Sequence, residues 1–171
     1  VGGLTDMNPG NGIFEIEPGE RNFLPYLSKF NSDGEFLWSV AWLDGWLYLT
    51  ELTTDNDNNI ILAGRFALTI DIDPQESIYT ISSEGGREAF ILKLTPEGNL
   101  IWCKKAVGSI SSLSVDQNDN IWATGSINCN FTSDMNNRAS TSILLQKYNG
   151  DGQLLFSNNF GGEENFGTGD R

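Results

Sequence analysis

The chain has 171 residues, with 10 Lys plus Arg against 23 Asp plus Glu, a formal charge of -13, no His, 2 Cys and 19 Gly. The length allows one domain of about 100 to 200 residues with a real core. The acidity excludes a nucleic-acid or anionic-membrane partner, whose recognition needs a basic footprint, and the missing His removes the commonest general base and metal ligand.

Two Cys exclude a disulfide-rich scaffold and a Cys-based zinc site. No apolar run approaches the ~18 residues of a membrane-spanning helix, and no basic-then-apolar start marks a signal peptide. A chain opening on Val1 is expected to be a processed product or a fragment.

In chain order, residues 4-9 (LTDMNP) and 13-16 (IFEI) come first, followed by residues 27-38 (LSKFNSDGEFLW) and 54-66 (TDNDNNIILAGRF). Residues 69-74 (TIDIDP) and 78-81 (IYTI) repeat the opening pair at an offset of 65. Residues 91-102 (ILKLTPEGNLIW) and 145-156 (LQKYNGDGQLLF) repeat the 27-38 segment at spacings of 64 and 54. Residues 115-127 (VDQNDNIWATGSI) repeat 54-66 at an offset of 61. A period of this size belongs to propeller blades and solenoids.

Within a unit, short apolar runs alternate with Gly, Asn and Asp turns, and none sustains a helical stripe. The middle copy predicts strands near 88-95, 100-106, 110-116 and 121-127, with hairpin turns at 96-99 and 117-120. The expected fold is therefore all-β, with blades that are four-stranded antiparallel meanders, in an incomplete ring of about two and a half to three blades. Residues 1-22 are expected to end a preceding blade, 23-86 to form a first blade with a connecting hairpin, 87-140 a second, and 141-171 the first half of a third. Residues 161-171 read as a loop toward a strand that does not follow. A compact sandwich built from the same strands is the alternative.

The strings DGEFLW, EGNLIW and DGQLLF, followed by NNIILAGRF or DNIWATGSI and TIDIDP, resemble the bacterial β-propeller repeat of large cell-surface and secreted proteins. Phe160-Gly161-Gly162 matches that family's Gly-Gly loop and Thr124-Gly125 its strand ending. Ala63-Gly64 departs from the Thr-Gly ending, and the loops after Trp38 and Trp102 lack a Gly-Gly pair. The resemblance implies an extracellular or cell-surface scaffold for adhesion, with a protein or glycan partner, and no catalytic residues.

Positions repeated in each copy read as architecture. Trp38, Trp102 and Phe156 are expected to pack between neighbouring blades, and Lys29, Lys93 and Lys147 to form ion pairs or solvated strand positions. Residues that break the repeat carry more information. Trp42, Asp44, Trp46 and Tyr48 place aromatic rings beside a carboxylate, an arrangement that stacks on sugars, anchors a protein or fills a wide gap between blades.

Asp55, Asp57 and Asn59 begin a calcium-loop pattern, but Ile60 and Phe66 stand where its Gly and bidentate Glu belong, so ordinary turn chemistry competes. No triad, nucleophile elbow or phosphate loop is present. The expectation is a non-enzyme without cofactor or metal, part of a larger protein or assembly. The alternatives are a carbohydrate-active extracellular enzyme domain and a subunit donating blades to a multi-chain ring. Cys103 and Cys129 are expected as thiols or small buried hydrophobes, and Asn130-Phe131-Thr132 forms a glycosylation sequon.

Overall fold

The computed structural model describes residues 4-8, 10, 12-16, 24-43, 45-75, 77-129 and 140-161. Among them every regular element is a strand: β1 (Thr5–Asp6), β2 (Glu15–Ile16), β3 (Tyr26–Phe30), β4 (Phe36–Ala41), β5 (Trp46–Thr54), β6 (Ile60–Asp71), β7 (Thr80–Leu94), β8 (Leu100–Ala106), β9 (Ser109–Val115), β10 (Ile121–Cys129), β11 (Ser140–Tyr148) and β12 (Leu154–Phe160). Backbone hydrogen bonds gather them into two antiparallel pairs, β1-β2 and β3-β4, and two four-stranded meanders, β5-β6-β7-β8 and β9-β10-β11-β12. The fold is all-β, and the meanders have the form of propeller blades.

One turn form recurs five times, at 31-35, 55-59, 95-99, 116-120 and 149-153. Its first residue bonds the fourth and fifth through the backbone, as in Asn58 N–H to Asp55 O and Asp55 N–H to Asn59 O. A side-chain oxygen of that first residue accepts the third and fifth amides: Asn31, Asp55, Thr95, Asp116 and Asn149 all do so. The fourth residue has positive φ, which Gly34, Gly98 and Gly152 reach freely and Asn58 and Asp119 tolerate.

The sheets divide at a different point of the repeat from the boundaries at 86/87 and 140/141 read from the period. β8 pairs only with β7 and β9 only with β10, so the break falls at Val107 and Gly108. The connecting hairpin through 71-74 and 78-81, read as leading to the next blade, is instead the closed end of the β6-β7 ribbon. Asp71 accepts amides from Asp73 and Tyr79, Ile72 bonds Tyr79, and the ladder continues at Asp71 with Thr80. Asp6 closes the same loop form between β1 and β2.

Both faces of the β5–β8 sheet are covered, which explains the near-continuous apolar runs of β6 and β7. Ile60, Leu62, Phe66, Phe90 and Leu92 face Val40 and Trp42 at the β3-β4 side. Ile61, Ala63, Ala89 and Ile91 face Ile110, Leu113, Ile121, Ala123 and Tyr148 of the next sheet. Strand β9 lies chiefly along β5, where the Thr50 hydroxyl stands 3.2 Å from the carbonyl oxygens of both Ala63 and Ile110. First strand thus stacks on first strand, as in adjoining blades.

Gly64 and Gly125 sit where a neighbouring strand's backbone approaches closely. A methyl at Gly64 would meet the Tyr48 carbonyl and the Phe90 ring, and one at Gly125 the Ser109 carbonyl. Each lies next to a register shift in its ladder. Gly64→Ala is expected to destabilise the protein by about 2 kcal/mol, read as a lower urea midpoint with unchanged slope. An unchanged midpoint would show that the bulge at Thr50 absorbs the methyl.

Candidate functional site

The repeated lysines and aromatics tie one hairpin to the turn of the next. Lys93 Nζ lies 2.8 Å from Asp55 Oδ2 in its own sheet and donates to Gly150 O of the following sheet at 3.1 Å. Trp102 donates from Nε1 to the same Gly150 oxygen at 3.0 Å, and its ring lies against Gly152. One unit earlier, Lys29 donates to Pro96 O at 2.6 Å and the Trp38 ring covers Gly98. The fourth-position glycine therefore serves twice, giving positive φ and a flat seat for an indole.

The third copy has the donor half without a following turn. Lys147 keeps the equivalent of Asp55, pairing with Asp116 at 3.4 Å, and stands 4.6 Å from the Trp122 ring centre. Phe156, at the Trp102 position, is 43% exposed beside exposed Leu154 and Leu155. At the other end the 31-35 turn has the acceptor half. No atom lies within 4 Å of a methyl placed on Gly34, and Ser32 occupies the place of Pro96 and Gly150.

Asp55 and Lys93 show how strongly such a pair is held. Their side chains are 2% and 10% exposed. Burial pushes the Asp55 carboxyl up, but hydrogen bonds from Lys93 and Asn59 and the Lys93 charge outweigh it and hold the group below its ordinary value. Asp116 is held far below the carboxylate range, chiefly by the Asn120 side chain, against some desolvation, with Asn120, Asn118 and Trp122 also donating.

The Asp55 oxygens are thus committed to Lys93, Asn59 and two backbone amides, the turn-chemistry reading of Asp55, Asp57 and Asn59. Among the described residues no cluster of three acidic or thiol groups is placed to hold a metal. Asn56 of this turn also docks on the next sheet, its amide side chain 2.8 Å from Asp119 Oδ1.

The four residues singled out between the first hairpins do not form one surface. Trp42 is 2% exposed and donates from Nε1 to Ile72 O at 2.8 Å, so it is core, which corrects its reading as a binding residue. Asp44 lies outside the described residues, as does the sequon. Trp46 and Tyr48 share the face of β5 turned toward the next sheet, and Tyr48 is 56% exposed. Cys103 is a free, buried thiol whose pKa burial pushes up to about 12.

The register exposes a feature that sequence reasoning missed. One row across the sheet runs Tyr48, Arg65, Ala89, Ala106, and its neighbour Trp46, Ala67, Arg87. Small residues there leave a cavity of about 630 Å³ between the sheets, with Arg65 and Arg87 on one wall and Gly108, Ser109 and Ser126 on the other. The Arg87 guanidinium stacks 4.3 Å from the Trp46 ring centre. Arg65 Nε is buried with no hydrogen-bond partner among the described residues, a state that costs about 1 to 3 kcal/mol if nothing else fills it.

No family model matches the chain. The chain is 31% identical over 115 residues to an "Uncharacterized WD repeat-containing protein" of Acanthamoeba polyphaga mimivirus. The match covers 56% of this chain and only 8% of that protein. WD repeats are four-stranded propeller blades of about 40 to 45 residues, shorter than the 54 and 64 residue spacings here.

Replacing Asp55 by Asn leaves Lys93 without its carboxylate in a buried position, and is expected to cost about 3 kcal/mol by chemical denaturation. Because the folded Asp55 pKa is depressed, its stabilisation is complete above the unfolded value of about 4 and is lost as pH falls through the folded value. Thermal midpoints of the parent chain should fall over that acid range, and the decline should be shallower in Asp55→Asn. Parallel curves would rule out the pair as the source.

Proposed function

We propose that this chain is a section of a larger β-propeller serving as a non-enzymatic binding scaffold, on a bacterial cell surface or in a secreted protein, with a protein or glycan partner. The carrying observation is the interlock between hairpins. It is made twice within the chain, and each end presents one half of a third: Lys147 and Phe156 at one, Ser32 and Gly34 at the other. Two stacked blades flanked by matched open halves suit a continuing array, because open sheet faces and edges are a liability that closure removes. The resemblance of the DGEFLW, EGNLIW and DGQLLF strings supports the surface setting, and the WD repeat relative supports the propeller.

The matched ends also favour the second reading, a ring assembled from several chains. Sedimentation velocity over a range of concentrations tests both. The parent chain is expected to associate head to tail. Lys147→Ala with Phe156→Ala removes the donor end, and Gly34→Asn, which keeps positive φ accessible, obstructs the acceptor end. Each variant alone should be monomeric, and an equal mixture should give a dimer that extends no further. A monomeric parent chain would discard the multi-chain ring, and variants that associate like the parent would discard the interlock.

The scaffold reading also expects a glycan array to show binding without turnover. Product release in a parallel hydrolase screen would overturn it in favour of a carbohydrate-active enzyme.

A further inference from the structure

We propose that the cavity between the β5–β8 and β9–β12 sheets is an oxyanion-binding site in which Arg65 and Arg87 hold a carboxylate or phosphate group. These are the only arginines among the described residues, and both line this one cavity. Neither forms an ion pair there, although the chain carries 23 acidic residues against 10 basic ones.

Four of the five lysines behave differently, exposed Lys104 being the exception. Lys93, Lys105 and Lys147 all meet carboxylates within the chain, and Lys29 meets a carbonyl. The rim carboxylate of Glu88 is also committed, accepting from Glu84 N–H at 2.7 Å and lying 3.0 Å from Lys105 Nζ. It therefore does not neutralise the arginines.

The geometry of the arginines suits a planar or tetrahedral anion. They lie on adjacent rows of one sheet face, Arg65 opposite Ala89 and Arg87 opposite Ala67. The Arg87 guanidinium carbon lies 4.3 Å from the Trp46 ring centre, a contact that restrains the side chain beside the cavity. The buried Nε of Arg65 is a donor that nothing among the described residues satisfies, and a guanidinium fork matches two oxygens of one anion. Across the cavity Ser109 and Ser126 supply hydroxyls 2.8 Å apart. A volume of about 630 Å³ falls within the usual range for small-molecule sites. The site lies apart from both interlocking ends, so it stands or falls independently of assembly.

The test is an NMR titration of the ¹⁵N-labelled chain, following arginine Nε–H signals at constant ionic strength in chloride. Sodium phosphate, succinate and a tetra-aspartate peptide are the separate probes. The expected result is a saturable shift of the Arg65 and Arg87 signals with at least one probe. The tightest-binding probe then distinguishes phosphate, a free acid or an acidic peptide as the source of the group. Arg87→Gln, an exposed position, should weaken binding at least tenfold with an unchanged amide spectrum, and Arg65→Gln should do the same. Lys104→Gln, an equal loss of charge outside the cavity, should leave it unchanged. Shifts that stay linear with every probe, or an Arg87→Gln chain that binds as the parent does, would overturn the proposal.

Discussion

One ammonium group holds three hairpins in place. Lys93 is buried, so its charge is tolerable only if it is both paired and hydrogen-bonded. Asp55 supplies the pair from the β5-β6 turn and Gly150 the carbonyl from the β11-β12 turn. The first contact fixes the β5-β6 turn against β7, and the second fixes the distance and register of the following sheet. Trp102 shares the Gly150 oxygen and rests on Gly152, so any side chain at that glycine would push the two sheets apart. Stacking of Ile61 and Ile91 on Ile121 and Tyr148 then follows from a spacing already set by polar contacts at the rim. The apolar core supplies most of the driving force, but it is non-directional, and it is the lysine, the indole and the turn that specify which rows of the two sheets meet.

The same device explains the difference between the interior and the ends of the array. Lys29 and Trp38 find their turn at Pro96 and Gly98, and the β5–β8 sheet is covered on both faces. Lys147 meets Asp116 and the Trp122 ring of its own sheet, and the β12 strand is exposed throughout, with Phe156 and Phe160 among its exposed apolar residues. An exposed, partly apolar edge strand is a template for pairing. The formal charge of -13 opposes indiscriminate association of such edges, leaving the specific turn-and-lysine fit as the contact able to overcome repulsion.

Most of the strands and the five repeated turns were legible in the sequence, because each such turn carries its own instruction: an Asx or Thr whose side chain caps two amides, and three places later a residue content with positive φ. The phase of the sheets was not legible. A period is the same from whichever strand it is counted, and the hairpin through 71-74 and 78-81 reads as leading to the next blade until Asp71 is seen to close it by accepting the amides of Asp73 and Tyr79. Trp42 broke the repeat and was read as either a binding residue or a filler between blades. Its acceptor, Ile72 O, lies 30 residues away, and no local pattern announces that. Trp46 and Tyr48 were singled out only because they break the repeat, and the chemistry of the cavity rests on Arg65 and Arg87. Single arginines in separate strands carry no motif, and only the ladder that sets Arg65 against Ala89 and Ala67 against Arg87 brings them to one face.

That ladder also explains how, among the described residues, Arg65 and Arg87 stand without a paired carboxylate in a chain so rich in them. The acids concentrate in turns, where Asp55 and Asp116 accept their own backbone amides. The rows around the arginines are instead Tyr48, Ala89, Ala106, Trp46 and Ala67, and the cavity-lining carboxylate of Glu88 is held by Lys105. Fields from the turns are screened over about 8 to 10 Å at physiological ionic strength, whereas the arginines act at contact distance, Arg65 with its Nε buried and Arg87 exposed, through charge-assisted hydrogen bonds. The distant negative field therefore disfavours the approach of any anion while the local pair favours one that fits. This arrangement selects by shape and donor geometry, because bulk charge works against binding here.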